Sequence, residues 1–240
     1  MSSLWRTLGR ETLLEIALVC CADAVVGATF GAVAVAGGLP VWLPIAMSVL
    51  VFAGGSQIAA VGVMLAGGGV AAAATSGLVL NTRLLPYSLA MSDVLEGRRR
   101  WTRLLGVHLV VDESVAFALR QEDPRRRRAA FWTTGLSLFV CWNAAVALGA
   151  LAAKALGNTE NLGLDAVFPA VMIALVLPTL CDDRRLRSAA GIGTALAVVV
   201  APWLPAGLPL LLAPIGLVVA LRRSPGQSAP EPAELEEVGR

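Results

Sequence analysis

Charge is what this chain has least of. Only 15% of its 240 residues are charged and 57% are hydrophobic, with a mean hydropathy of +0.73, against about 25% charged and about 45–50% apolar in a typical soluble domain. Such a chain has too little polar surface to coat a water-soluble fold. It holds one histidine, His108, and four cysteines, Cys20, Cys21, Cys141 and Cys181, with no CxxC pair. Neither a zinc site nor a disulfide framework is indicated, and the cysteines read as packing residues. Gly-x-Ser-x-Gly elbows, HExxH helices and Walker loops are all missing, which argues against an enzyme and against an ATP-driven pump, and indicates no cofactor. The net charge of +2 is small, so nucleic acid is a poor candidate partner.

What is present is apolar length. Segments at 13–36, 41–66, 69–91, 130–155, 165–181, 188–204 and 206–222 are nearly free of charge, and a crossing needs about 20 such residues. Inside lipid every backbone amide must be satisfied within its own segment, and a barrel would need alternating polar residues that these runs lack. The expected fold is therefore all-α: a polytopic integral membrane bundle of about seven transmembrane helices. It occupies residues 1–223, and 224–240, rich in Pro and Glu, form a disordered cytoplasmic tail. Two arginines precede the first apolar run without a small-residue cleavage site, so the first helix reads as uncleaved.

Arginine clusters set the orientation. Arg98–Arg100 with Arg103, Arg125–Arg128, Arg184 with Arg185 and Arg187, and Arg222 with Arg223 should all be cytoplasmic, while the turns at 37–40, 157–165 and 203–207 lack Lys and Arg and read as external. Two full crossings between the turn at 38 and the cluster at 98 would place that cluster outside, so one stretch must break the pattern. Broken or re-entrant helices are expected near 53–57, near 81–86, and over 104–120, which is too short and too charged to span. Gly38-Leu39, Pro44 and Met47 share their spacing with Gly163-Leu164, Pro169 and Met172, which suggests an internal repeat of parallel sense.

Polar groups within apolar stretches point to function, because each costs about 2.5–3.5 kcal/mol at mid-membrane unless partnered. Gly54-Gly55-Ser56-Gln57 would let a helix unwind and restart with its free amides aimed at a carboxylate, or would serve close helix packing. Asn81 and Arg83, followed by Tyr87, offer a guanidinium fork for a carboxylate, unless Arg83 snorkels to the interface. Asp112, Glu113 and Ser114 could hold an ammonium, carry a proton, neutralise Arg83, or form a solvated face. Asp23, mid-way along the first helix, is a further candidate for proton coupling, or a buried residue facing another helix. His108 reads as a packing or interfacial residue, and the Gly27/Gly31 spacing as helix contact.

In order and spacing these motifs resemble those of the AzlC family of branched-chain amino acid permeases over about residues 25–220. They are FGAVAVAGGL, MSVLVFAGGSQIAA, NTRLLPYSLA, VDESVAFAL and GLDAVFPAVMIALVLP. The resemblance points to Ser56, Gln57, Asn81, Arg83, Tyr87, Asp112, Glu113, Ser114 and Asp165. It departs at Leu84, where the family often has histidine, and at Ile58, where it has an aromatic. It implies a secondary transporter, an exporter of branched-chain or other apolar amino acids in a bacterial inner membrane, that works with a small AzlD-type membrane subunit. The rival expectation is a non-transporting membrane subunit that scaffolds or regulates a partner.

Overall fold

The computed structural model describes residues 7–95, 99–156, 177, 180–181 and 184–204. The described residues are helical and contain no strand. Two helices dominate: α1 (Arg10–Ala36, 27 residues) and, much later in the chain, a helix over Pro124–Leu156 (33 residues). At 1.5 Å per residue they are about 40 and 50 Å long, enough to cross a hydrocarbon core of about 30 Å. Between them lie α2 (Trp42–Leu50), α3 (Gly54–Leu65), α4 (Val70–Asn81), α5 (Leu84–Ala90), α6 (Ser92–Leu95), α7 (Arg100–His108) and α8 (Asp112–Leu119). The long helix over 124–156 is α9, and α10 covers Arg184–Val200.

Among the described residues, helices α1 and α9 make the most extensive contact. They run parallel: Gly27 faces Trp142, Gly31 faces Val146 and Ala150, and Gly149 faces Ala28. A Cβ on Gly31 would collide with the carbonyl oxygen of Val146, and one on Gly149 with that of Ala28. The backbones touch because these residues have no side chain. The start of α9 is set by Asp123, whose carboxylate accepts the Arg125 amide at 3.2 Å, with Pro124 at the first helical position.

Helices α2 and α3 form a hairpin. Ser48 on α2 donates to Asn143 on α9 at 2.7 Å, the chain then reverses through residues 51–53, and α3 returns until Leu65 lies against Gly37 at the end of α1. The ends of α1 and α3 close in the same way. Gly38 (φ +97°) and Gly67 (φ +82°) supply the left-handed residue, and the amides of Leu39 and Gly68 bond the carbonyls of Ala34 and Val63, a Schellman closure.

A second hairpin enters from the opposite end. Helix α7 rises past Trp132 and the chain breaks at 109–111, where Leu109 packs on Gly135. Helix α8 then returns to Arg120, which pairs with Glu15 near the start of α1 at 2.7 Å. The tips meet: His108 bonds the Val49 carbonyl oxygen at 2.9 Å and its ring lies 5.9 Å from that of Phe52. Helices α4 and α5 connect the two ends, from beside α3 to Ala90, whose carbonyl accepts from Arg127 at 2.8 Å.

The segment 41–66 is thus a hairpin and not one crossing, and 69–91 is two helices in succession. Continuous helices occupy 10–36 and 124–156, and the expected segment 188–204 is α10 with the turn that follows it. The expected segments at 165–181 and 206–222, the second copy of the suggested repeat, Asp165 and the tail fall wholly or mainly outside the described residues.

The α1–α9 contact predicts a sharp contrast between glycines. Gly31→Leu should abolish the folded, monodisperse protein in detergent. Gly62→Ala, where a Cβ meets nothing within 4 Å, should leave melting unchanged or raise stability by up to about 1 kcal/mol through helix propensity. Melting followed by size-exclusion chromatography reads both.

Candidate functional site

The break between α2 and α3 is built from local strain. Phe52 has φ +42°, a left-handed conformation that costs a bulky residue about 1–3 kcal/mol. It is held there by burial of its ring, 5% exposed, edge-on to Phe139 at 5.0 Å. Ala53 follows in extended conformation, and α3 starts at Gly54 with no side-chain cap. The first in-helix amide to find a carbonyl is that of Gln57, bonded to Ala53 at 3.0 Å, so the amides of the preceding turn have no helical acceptor.

Two polar side chains seal the rest of this break. Ser56 donates its hydroxyl to the Ala53 carbonyl at 2.8 Å. Gln57 is fully buried. Its amide nitrogen donates to the Met47 carbonyl at 2.9 Å, and its side-chain oxygen accepts from the Trp142 indole at 3.2 Å. At the other break Ser114 accepts from the Val111 amide at 3.0 Å and donates to the Leu109 carbonyl at 2.8 Å. Helix α8 then begins at Asp112, again with no cap from the Val111 side chain.

Both helix starts line one cavity of about 220 Å³. Ala53, Gly54 and Gly55 reach it from α3, and Val111, Asp112 and Glu113 from α8. Arg83, in the step between α4 and α5, sits with a guanidinium nitrogen beside Gly55 and forms a 2.7 Å ion pair with Asp112. The second Asp112 carboxylate oxygen is buried without a hydrogen bond. Asp23 lines the wall from α1, with Val26. The remaining surface is apolar: Phe52, Ile58, Leu84, Leu138 and Trp142.

Of the residues singled out in the sequence, Gly54, Gly55, Arg83, Asp112, Glu113 and Asp23 converge on this cavity. Ser56, Gln57 and Ser114 bond to the backbone or to Trp142 at the two breaks and do not line it. Asn81 ends α4 with its side-chain oxygen buried and unpartnered, and Tyr87 packs against the hydrophobic core; neither lines the cavity. Trp142 escaped the sequence reading because a tryptophan in an apolar helix looks like ordinary core. Its signal was present only in the small residues that the fold sets against it, Gly27 and Gly54. Ile58 and Leu84, where the motifs depart from the family pattern, both line the wall.

The AzlC family model, described as AzlC protein, matches residues 19–156, more than half of the chain. The chain belongs to the AzlC family. This is a transport-related membrane family, and the match takes in every residue that lines the cavity. No curated protein and no solved structure matches the chain.

Gln57→Leu should destabilise the protein by about 1–3 kcal/mol, because it strips the hydrogen bond from a buried indole N–H and a partly buried carbonyl at once. Thermal melting in detergent should show a lower midpoint than for Gln57→Glu, which keeps an acceptor for Trp142. Equal midpoints for both variants and the parent would refute this role.

Proposed function

We propose that this chain is a secondary transporter that exports branched-chain or other apolar amino acids across a bacterial plasma membrane. The observation that carries the reading is the cavity. It joins two helix starts, one arginine and three carboxylates to an apolar wall, about half-way along both long helices. A free amino acid is a zwitterion with an apolar side chain, and these groups complement it part by part.

The substrate carboxylate is assigned to Arg83 and the first amides of α3, where a planar fork and a helix start both favour an anion. Its ammonium is assigned to Asp112 or Glu113. The charge balance supports a cationic group at this end. Arg83 contributes one positive charge and each helix start roughly half of one, which together leave one of the carboxylates Asp23, Asp112 and Glu113 unmatched. That carboxylate faces the ammonium or takes a coupling proton. The Arg83–Asp112 pair then opens when substrate arrives, because each partner exchanges the other for a charge on the ligand.

The proposed membrane placement follows from the ends of the helices. The arginines at 99–103 and 125–128 and the start of α1 lie at one end of the bundle, which the positive-inside rule makes cytoplasmic. Helices α2–α3 then form a re-entrant hairpin from outside and α7–α8 one from inside. Helices α4–α5 cross between them, and this resolves the parity problem at residue 98. With α1, α4–α5, α9 and α10 as crossings and the segments at 165–181 and 206–222 added, the protein is a multi-pass bundle of six spans and two re-entrant hairpins, one span fewer than the seven apolar segments. Residues 224–240 form its cytoplasmic tail, and a small AzlD-type subunit is its partner.

The deciding experiment is efflux of preloaded radiolabelled leucine, valine, methionine and alanine from cells expressing the chain, with and without a co-expressed small subunit. Efflux should rise above that of empty cells, and Arg83→Ala should remove it while melting and membrane insertion stay normal. No efflux in either condition, with the protein verified in the membrane, would transfer the function to a scaffold for another protein.

A further inference from the structure

Most of the cavity's apolar wall is immobilised by duties elsewhere. Trp142 is pinned between Gly27, Gly54 and Gln57, and Phe52 holds the strained break against Phe139. Leu138 is 2% exposed within the core. Substituting these would disturb the fold before it changed a preference.

Ile58 and Leu84 differ in being only partly buried, although Ile58 packs against the edge of the same core. Ile58 lies three and four residues beyond Gly55 and Gly54, and so stands on the same side of α3 as the free amides, one turn further in. Leu84 follows Arg83 directly, at the first position of α5. It is only half-buried and takes no part in the packed core around the cavity. Both therefore flank the point where the arginine and the α3 amides receive an anion, at the distance of the next few atoms of a bound molecule.

We infer that Ile58 and Leu84 are the specificity-determining residues of this cavity, and that they select the length and branching of an amino acid side chain. This rests on the transport reading. The cavity's size is compatible with it: at about 220 Å³ it is many times the space that one water needs, so a small apolar amino acid finds room. The two residues approach from different helices, so enlarging either narrows the space, and trimming either deepens it.

The test is efflux of alanine, valine, leucine and phenylalanine by the unmodified chain and by Ile58→Phe, Ile58→Ala, Leu84→Phe and Leu84→Ala. Melting in detergent confirms that each variant folds. The phenylalanine variants should lower the leucine-to-alanine ratio about tenfold or more, the scale on which an apolar pocket discriminates one or two carbons. The alanine variants should raise phenylalanine efflux relative to leucine. Unchanged ratios, or a uniform loss of all four substrates in folded variants, would overturn the assignment. If the unmodified chain moves none of the four, with or without the co-expressed small subunit, the transport reading fails with it. Transport by the unmodified chain with unaltered ratios in the variants rejects the specificity assignment alone.

Discussion

A helix interrupted inside an apolar body leaves backbone donors and acceptors that neither lipid nor hydrocarbon side chains can satisfy, and the middle of this protein is organised around two such interruptions. Each is resolved in the same manner. The carbonyls on the departing side are taken up by polar side chains: Met47 by Gln57, Val49 by His108, Ala53 by Ser56 and Leu109 by Ser114. On the returning side the first helical residues, Gly54 and Gly55 of α3 and Asp112 and Glu113 of α8, line the cavity, and Ser114 takes up the Val111 amide. The polar residues that stand out in the hydropathy pattern thus divide into those that complete the backbone and those that face the space between the two tips.

That division depends on a rigid wall. The α1–α9 contact is made of backbone against backbone at Gly31 and Gly149, so neither helix can rotate or shift by a residue without a collision. Its consequence is the placement of Trp142, which stacks on Phe30, covers Gly27 and Gly54, and gives its indole proton to Gln57. One side chain therefore couples the two long helices to the break that starts α3. The other tip is held by Leu109 on Gly135 and by the His108–Phe52–Phe139 ring cluster. Since both tips rest on α9, the distance between the two helix starts is a property of one helix.

Much of this was readable in the residues, and the rest was not for definite physical reasons. Gly54-Gly55 and the charged pair at Asp112-Glu113 mark the two breaks because glycine lowers the cost of leaving a helix and a carboxylate seeks a helix start. Arg83 stands out by charge alone. Hydropathy cannot tell a 26-residue crossing at 41–66 from a hairpin of the same composition, since both bury the same apolar surface; the signal was the charge at 98, which demanded one fewer crossing. The role of Gln57 was hidden for a different reason. A buried amide needs partners, but nothing in the sequence says whether they belong to a ligand or to Trp142 and Met47.

The ion pair between Arg83 and Asp112 links the architecture to the proposed transport cycle. Arg83 belongs to the step between α4 and α5, which joins the two ends of the bundle, and Asp112 to the tip of the α7–α8 hairpin. With the pair formed, that tip is tied to the connecting helices. A zwitterion that takes each charge separately replaces one short bond of 2.7 Å by two bonds through a larger body, and so must spread the tip from the step. A ligand with only an anionic group would release Asp112 with no partner for it, and one with only a cationic group would strand Arg83. Both side chains keep more than a third of their surface exposed, so a stranded charge costs no more than about 1 kcal/mol, which still disfavours either half-match. On the proposed reading, opening is therefore coupled to the presence of both charges on one molecule, and the apolar wall has only to judge the side chain between them.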